Sequence, residues 1–267
     1  SSHVGPAKIQ AYVYDTTGPA TLVSSVVFTN DTGTSATDFL TKNASQTING
    51  TLSAALAAGE VVKVSLDNGA TWKAAAATVG KNTLSLAGVT LTGSDTLQVR
   101  VEDAAGNAGT AKTQAYAFDI VGPKTLVSTV SFSNDTGTSA ADFVTKNASQ
   151  TINGTLSAAL AAGEVVKVSL DNGATWKTFS LAGVTLTGSD TLQVRVEDAA
   201  GNSGQAKSQA YVFDTAGPQT TISSVLFSND SGTSATDFVT KLAAQTITGT
   251  LSANLETGEV VKVSLDN

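Results

Sequence analysis

The chain has 267 residues, of which 41% are hydrophobic and 14% charged, and its 22 acidic side chains outnumber the 15 basic ones. This acidic balance argues against nucleic-acid binding, which needs a basic face. Cysteine is absent and no run of about 20 apolar residues occurs, so we expect no disulfide, no thiolate metal site and no membrane insertion.

Catalytic chemistry is also not expected. The single histidine, His3, stands among three leading residues that fit no repeat and are interpreted as a vector remnant. Nucleophilic triads would then lack their histidine, and paired-carboxylate catalysis needs a cleft that a small β-sandwich does not offer. We predict that the chain is not an enzyme.

Internal repetition dominates the sequence. Residues 21–72 match residues 125–176 with five differences, a third copy opens at Thr221, and residues 5–15 align with residues 109–119. The chain therefore reads as a window from a longer tandem array. The predicted parts are a vector remnant plus the last strand of a preceding repeat (1–15), repeat 1 (16–119), repeat 2 (120–214) and a partial repeat 3 (215–267).

Repeat 2 is nine residues shorter than repeat 1, since it reads TWKTFSLAG where repeat 1 reads TWKAAAATVGKNTLSLAG. Either this loop is genuinely deleted or residues have been left out of the sequence.

Each repeat reads as short strands separated by turns. Period-two alternation and β-branched residues predict five strands in repeat 1. They are A at Thr21–Thr29, B at Gln46–Ala54, C at Val61–Leu66, F at Thr96–Val101 and G at Ala111–Phe118. Turn signals every 8 to 12 residues then predict an all-β fold of tandem immunoglobulin-like Greek-key β-sandwiches with seven strands each.

Two segments of repeat 1 call for a specific local prediction. Asn68-Gly69 predicts a primed hairpin turn, in which both central residues have positive φ. Residues 52–59 have helical propensity, but they are too few for a stable helix and follow Thr and Ile, so we predict a strand end and a loop.

The predicted topology gathers acidic residues at the end of the domain where the chain enters. The BC and FG loops lie at that end, and the linker from the preceding domain arrives there. The residues concerned are Asp15 of the linker, Glu60 of the BC loop, and Glu102, Asp103 and Asn107 of the FG loop.

A hard cation would make this gathering favourable. Adjacent carboxylates repel by roughly 1 kcal/mol per pair even in water. Calcium takes about six to eight oxygens from carboxylates, carboxamides and backbone carbonyls, whereas Mg²⁺ prefers strict octahedral geometry and keeps its waters. The sequence therefore predicts a Ca²⁺ site at each domain junction, with an ordinary solvated acidic loop as the alternative.

The later junctions repeat the same set of oxygen ligands. Its members are Asp119, Glu164, Glu197, Asp198 and Asn202 at the second junction, and Asp214 and Glu259 at the third. Each linker ends in Gly-Pro, and the proline limits bending because its φ is fixed.

A second acidic set lies in the AB loop, at the end where the chain leaves the domain. Its members are Asp31 and Asp38 in repeat 1, Asp135 and Asp142 in repeat 2, and Asp230 and Asp237 in repeat 3. These residues either hold further calcium, helped by Asp67 or Asp95, or form turns by hydrogen bonding to their own backbone. Asp67 itself is interpreted as a turn residue, and Trp72 and Trp176 as packing against a sheet rather than binding sugar.

Several motifs closely resemble a known family. FDxxGP linkers, SNDTGTSAADFVTK, QTINGTLSAALAAGEVVKVSLDNGATW and LTGSDTLQVRVEDAAGN resemble the Region II type extender repeats of giant bacterial repeats-in-toxin adhesins, above all those of marine ice-binding adhesins. The resemblance implies calcium-rigidified immunoglobulin-like domains, exported by a type I system and strung between a cell-surface anchor and distal ligand-binding domains. It also implies a linker-calcium role for Asp15, Asp119 and Asp214 and the EDAAGN loops that face them.

Two functions remain open at this point. In the first, the chain is an extracellular spacer, a monomeric rod stiffened by calcium, whose partners are calcium ions and neighbouring repeats. In the second, the domains themselves bind a glycan, ice or a host-surface ligand. The scattered aromatic residues, 6% of the chain, favour the spacer, because binding patches concentrate Trp, Tyr and Arg.

Overall fold

The structure is a computed structural model that describes residues 4–179 and 183–266. Within these ranges it contains strands, turns and no helix, so the predicted all-β fold is confirmed. No helix long and apolar enough to cross a membrane occurs among these residues. The leading residues with His3, and Ser180 to Ala182 beside the shortfall of repeat 2, lie outside the described residues.

Repeat 1 is built from nine strands in two sheets, whereas seven were predicted. The strands are β1 (Val23–Phe28), β2 (Leu40–Thr41), β3 (Ser45–Leu52), β4 (Val61–Ser65), β5 (Lys73–Ala74), β6 (Ala76–Ala77), β7 (Thr83–Thr90), β8 (Asp95–Glu102) and β9 (Lys112–Phe118). One sheet has the order β1-β3-β7-β6 and the other β2-β9-β8-β4-β5. The neighbours pair antiparallel except β2 and β9, which pair parallel through Leu40–Ala117 and Thr41–Phe118.

The core of repeat 1 follows from the alternation of its strands. Leu97, Val99 and Val101 of β8 are at most 1% exposed, as is Ile48 of β3, because alternate residues of a strand point to the same face. Phe28 contacts Phe39 and Tyr116, with ring centroids 4.9 and 5.6 Å apart. Burial of this aromatic and aliphatic cluster is the main stabilising term of the domain.

Repeats 2 and 3 contribute the remaining strands. Repeat 2 contains β10 (Val127–Phe132), β11 (Val144–Thr145), β12 (Ser149–Gln150), β13 (Ile152–Leu156), β14 (Val165–Ser169), β15 (Lys177–Thr178), β16 (Val184–Thr185), β17 (Asp190–Glu197) and β18 (Lys207–Phe213). Their sheets are β11-β18-β17-β14-β15, β10-β13 and β12-β16. In the described part of repeat 3, β19 (Ile222–Phe227) pairs with β20 (Ile247–Leu251).

Two compact units make up the chain, and their boundaries do not follow the repeats. The first contains residues 1–130, 154–180 and 192–209, and the second contains residues 131–153, 181–191 and 210–267. Repeat 1 lies wholly in the first unit, whereas repeat 2 contributes residues to both.

The local predictions for residues 52–69 are confirmed. Asn68 and Gly69 have φ of 52° and 89°, and the Ala70 N–H donates to the Asp67 carbonyl at 3.1 Å, as a primed turn requires. The strand β3 ends at Leu52 and a loop follows. The turn lies in a longer connection than a two-residue hairpin, because β4 ends at Ser65 and β5 begins at Lys73.

Residues 4–22 precede the first strand of the structure. The expected last strand of a preceding repeat, within residues 5–15, is not formed, and Ile9, Tyr12 and Val13 are about nine-tenths exposed. Among the described residues this segment has no strand partner, and a strand without a neighbour is not stable in water.

Candidate functional site

The FG loop of repeat 1 is organised by Asp103. Its Oδ1 accepts the backbone N–H groups of Ala105 and Asn107 at 2.9 and 2.8 Å, and its Oδ2 accepts Asn107 Nδ2 at 2.9 Å. Gly106, at φ of 90°, closes the turn. The hydrogen bond from the Asn107 side chain is the main reason why the pKa of Asp103 lies below its usual value.

The linker before repeat 1 is attached to this loop through its carbonyl groups. Asn107 Nδ2 donates to the carbonyl oxygens of Asp15 and Thr17 at 3.1 and 3.4 Å, and Asp15 Oδ1 accepts the Thr17 N–H at 2.9 Å. A Cβ on Gly18 would lie 2.9 Å from the Ala108 carbonyl oxygen. The linker glycine is therefore required for close packing on the loop.

The second junction repeats this arrangement. Asn202 Nδ2 donates to the Asp119 carbonyl at 2.9 Å and to Asp198 Oδ2 at 3.0 Å, while Asp119 Oδ1 accepts the Val121 N–H at 2.9 Å. In repeat 3, Asp214 Oδ1 accepts the Ala216 N–H at 2.8 Å. At the first two junctions, the linker aspartate, the FG aspartate and the FG asparagine are thus brought together.

The glutamates predicted for the junctions have other partners. Glu102 Oε1 accepts two hydrogen bonds from Arg100, at 3.0 and 2.7 Å, and the Arg100 guanidinium lies 3.8 Å from the centroid of the Trp72 ring. Glu60 Oε2 accepts the Ala57 N–H at 2.9 Å and so closes the BC loop. The equivalent glutamates do the same; they are Glu197 with Arg195, Glu164 with Ala161, and Glu259 with Glu256.

The two aspartates of the AB loop accept hydrogen bonds from different parts of the chain. Asp38 Oδ1 accepts the Leu40 N–H at 3.1 Å, which is the local turn expected of such a residue. Asp31 Oδ2 instead reaches eight residues along the chain to the Phe39 N–H at 2.9 Å, and Phe39 has a left-handed φ of 63°. Such a conformation is rare for a bulky residue and costs energy.

The other oxygen of Asp31 is the most unusual atom of the AB loop. Asp31 Oδ1 is buried and has no hydrogen-bond partner among the described residues, and Asp135 Oδ1 and Asp230 Oδ1 share this condition. Burial, with a smaller effect from the Asp38 charge, raises the pKa of Asp31. The three repeats thus carry the same orphaned carboxylate oxygen at the same position.

Asp67 behaves as the turn residue that the sequence predicted. Ser65 Oγ and Thr71 Oγ1 donate to its carboxylate at 2.7 and 2.5 Å, and these bonds lower its pKa to about 2. Asp171 repeats the arrangement with Ser169 and Thr175, and its pKa is also about 2. Asp95 Oδ1 accepts the Thr96 N–H at 2.6 Å.

A buried glutamine holds the AB loop, and the sequence analysis missed it. Gln46 Oε1 accepts the Asn30 N–H at 3.1 Å, and its Nε2 donates to the carbonyls of Asn30 and Asn43 at 2.9 and 2.8 Å. Its position two residues before Ile48, on the inward face of β3, was the signal that could have found it.

Within the first compact unit, the AB loop of repeat 1 also contacts the FG loop of repeat 2. The Thr34 N–H donates to the Ala199 carbonyl at 3.1 Å, Thr32 Oγ1 donates to the Ala200 carbonyl at 2.8 Å, and Lys42 Nζ donates to the Gly201 carbonyl. The AB loop of repeat 1, with Asp31 and Asp38, and the FG loop of repeat 2, with Asp198, therefore lie at the same junction.

The metal-binding capacity of these loops depends on mixed oxygen ligands. Among residues 4–179 and 183–266, no three His, Cys, Asp or Glu side chains form a potential metal-binding group. A cation here would need carboxylates in pairs, supplemented by carboxamide and backbone carbonyl oxygens, which is a ligand set that Ca²⁺ accepts.

One protein-family model matches part of the chain. Residues 18–120 match the model of the bacterial Ig-like domain. No curated protein matches the chain.

The solved structures that match the chain share little sequence with it. The BSP domain of a biofilm-associated protein is 14% identical, with a TM-score of 0.23, over 67% of this chain and 29% of that one. Fibronectin(III)-like modules of Clostridium thermocellum CbhA are 12% identical, with a TM-score of 0.35, over 71% of this chain and 94% of that one. A three-domain immunoglobulin fragment of titin is 13% identical, with a TM-score of 0.26, over 65% of this chain and 61% of that one.

Proposed function

We propose that the chain is a spacer segment of a bacterial surface adhesin, in which calcium binds between and within immunoglobulin-like domains and stiffens the array. The family match supports the bacterial immunoglobulin-like part of this proposal. Immunoglobulin-like domains typically serve as structural or binding modules. The repeated junction contacts favour the structural role.

The observation that carries the calcium part is the orphaned oxygen of Asp31, Asp135 and Asp230. A buried carboxylate oxygen without a donor costs free energy, and a hard cation is a partner that requires no donor side chain. In each AB loop two aspartates would supply carboxylate ligands. One lies eight residues before the phenylalanine that has a left-handed φ, and the other lies directly before that phenylalanine. These pairs are Asp31 with Asp38, Asp135 with Asp142, and Asp230 with Asp237.

At the junctions, the linker and the FG loop would supply the ligands. Asp103 and Asn107 already lie together with the linker carbonyls of Asp15 and Thr17. Because Asn107 uses its amide nitrogen for these contacts, its amide oxygen is the group left for a cation. The same argument applies to Asp119, Asp198 and Asn202.

Residues of the chain itself restrict each linker. Pro19 packs against Gly109, whose Cβ would lie 3.4 Å from Pro19 Cγ, and Pro123 packs in the same way against Gly204 at 3.3 Å. Proline fixes φ, and the packed glycine lets the linker approach the domain closely. Calcium, when bound, would add electrostatic links between linker and loop, and the junction would resist bending.

Whether such calcium sites are filled depends on whether the protein is inside or outside the cell. Extracellular calcium modules bind with Kd on the order of 10⁻⁴ to 10⁻³ M, so they would be empty in a cytosol and filled outside the cell. At tenfold saturation each site would stabilise the folded state by about 1.4 kcal/mol. We therefore place the protein at the bacterial surface, where it would hold a distal ligand-binding region away from the cell.

Small-angle X-ray scattering of the whole chain in millimolar calcium and in excess EDTA tests the proposal. We expect the maximum dimension to fall, or the flexibility to rise, when calcium is chelated, and magnesium to restore the profile poorly. An unchanged profile would contradict calcium stiffening and would redirect attention to ligand binding by the domain faces.

A matched pair of variants tests the junction specifically. Asp119→Ala should loosen the connection between repeats 1 and 2 more than it lowers the thermal stability of either domain. Asp15→Ala removes the equivalent side chain on the N-terminal side of repeat 1 and should leave that connection unchanged. Equal loss of thermal stability with unchanged scattering in Asp119→Ala would count against a linker site.

A further inference from the structure

Two short backbone segments of the first compact unit fit each other. One is the Gly turn, residues 32–34 of repeat 1, and the other is the Ala loop, residues 199–201 of repeat 2. The three successive carbonyls of the Ala loop each accept one donor, from the Thr34 N–H, from Thr32 Oγ1 and from the nearby Lys42 Nζ. None of these groups is a side chain proposed above as a calcium ligand.

The fit requires a glycine in each segment. A Cβ on Gly33 would collide with the Ala199 carbonyl oxygen and would lie 2.8 Å from the carbonyl carbon of Ala200. A Cβ on Gly201 would lie 3.1 Å from the backbone of Gly33. Any side chain at either glycine would separate the two backbones and break the hydrogen bonds.

Residues 104–106 of repeat 1 form an Ala loop of identical sequence, but this loop is exposed to solvent. Ala200 is 1% exposed, whereas its counterpart Ala105 is exposed. A Cβ on Gly106, the counterpart of Gly201, would meet nothing within 4 Å. The burial of residues 199–201 therefore comes from the docked Gly turn and not from the loop itself.

The Gly turns show the same contrast. Gly137 of repeat 2 has φ of 103°, close to the 100° of Gly33, yet its Cβ would meet only the Val144 carbonyl, at 3.8 Å. Thr136 and Lys146 stand where Thr32 and Lys42 stand in repeat 1, and repeat 3 keeps the hydroxyl as Ser231. The Gly turn thus has the same backbone conformation whether or not an Ala loop is docked on it.

We propose that the Gly turn of each repeat is a docking site for the Ala loop of the repeat that follows it. Residues 104–106 would accordingly bind the Gly turn of a preceding copy, and residues 136–138 the Ala loop of a following copy. The partner class is another copy of this repeat, recognised through three backbone carbonyls and through the glycine that each segment presents to the other. The contact needs no metal ion and so goes beyond the calcium-dependent stiffening proposed above.

Matched glycine variants in the full chain test this docking. Gly33→Ala and Gly137→Ala impose the same left-handed strain, but only Gly33 faces an Ala loop. Because the chain has no cysteine, spin labels can be placed at exposed Ala87 and Ala159 after substitution by cysteine. The distance distribution between the labels reports on the connection between repeats 1 and 2.

We expect Gly33→Ala to broaden this distribution in EDTA, and Gly137→Ala to leave it as in the parent protein. Ala200→Leu and Ala105→Leu form a second pair that changes no glycine conformation, and only Ala200→Leu should broaden the distribution. Equal effects within both pairs, or no effect of either Gly33→Ala or Ala200→Leu, would overturn the docking. Since these measurements are made without calcium, their outcome is separate from the calcium response of the scattering profile.

Discussion

Asp31 combines a long-range hydrogen bond to a strained phenylalanine with an oxygen that has no partner. Asp135 and Asp230 show the same combination. It is therefore a property of the AB loop in all three repeats and not of one local environment. Natural structures satisfy nearly all buried polar atoms, and exceptions call for an explanation such as an ion.

Asp31→Asn should therefore have opposite effects with and without calcium. In EDTA the variant should be more stable than the parent, because a neutral amide is less costly to bury than an unpaired carboxylate. In millimolar calcium it should lose about 1.4 kcal/mol of stabilisation, the value of one site at tenfold saturation. Chemical denaturation monitored by tryptophan fluorescence in both buffers measures this, and a calcium-independent effect would argue against a site at Asp31.

Asp67 offers a control with a predicted pH dependence. Its pKa is lowered from 3.8 to about 2 by hydrogen bonds from Ser65 and Thr71, so the folded state favours the charged form. The resulting stabilisation is present above pH 3.8 and is lost as the pH falls through about 2. Asp67→Asn should thus be less stable than the parent at neutral pH, with the difference vanishing near pH 2 and with no change in calcium response. A constant difference across this range would contradict the assignment.

At the scale of elements, the AB loop is fastened to β3 by one side chain. Gln46 is 2% exposed and makes three hydrogen bonds to the backbone of Asn30 and Asn43. These bonds hold both ends of the loop that contains Asp31, so the loop geometry depends on a residue outside it.

Gln46→Met keeps the side-chain volume but leaves the three backbone groups unsatisfied. We expect a loss of about 2 to 4 kcal/mol in the free energy of unfolding, since each unsatisfied buried group costs about 1 to 3 kcal/mol and part of this is recovered by water. Gln245→Met removes the same three bonds in repeat 3, where the glutamine is only partly buried, unlike Gln46. It should cost less, and urea denaturation of both variants makes the comparison.

Strands with clear alternation were predictable, and weakly patterned ones were not. The predicted strands A, B, C, F and G agree with β1, β3, β4, β8 and β9 within about two residues at nearly every end, because period-two burial is written directly in their sequences. β2 is two residues long and is defined by parallel pairing with β9 some 77 positions away. The alanine-rich β5 and β6 carry no alternation that could reveal them.

Some features of the candidate site could also be predicted from the sequence, and others could not. Asp103 and Asn107 follow a strand in a glycine-containing loop, so their placement together could be inferred from topology. The difference between Asp31 and Asp38 could not, because it depends on the left-handed Phe39 and on which oxygen the fold buries. The docking of residues 199–201 was also hidden, since backbone carbonyls leave no mark on the sequence.

At the scale of the whole molecule, the stability of each repeat depends on how many strands enclose its core. In repeat 1, two sheets of four and five strands enclose a core in which Val26 and Ile48 are buried. In the described part of repeat 3, only β19 and β20 pair, and the equivalent apolar residues Val225 and Ile247 line an open groove of about 710 Å³. A two-stranded sheet is marginally stable in water at best.

Limited proteolysis should therefore cut the chain first within residues 215–266, where Val261 and Val263 are 48% and 62% exposed. Cleavage tracks the population of open states when opening and closing are fast, so the least enclosed core is the first to be cut. Fusing a copy of residues 69–119 after residue 267 would place strands equivalent to those of repeat 1 beside this groove and should slow the cleavage, as followed by mass spectrometry of the fragments. Cleavage at the same rate with and without the added strands, or first within repeat 1, would show that burial of this groove does not control its stability.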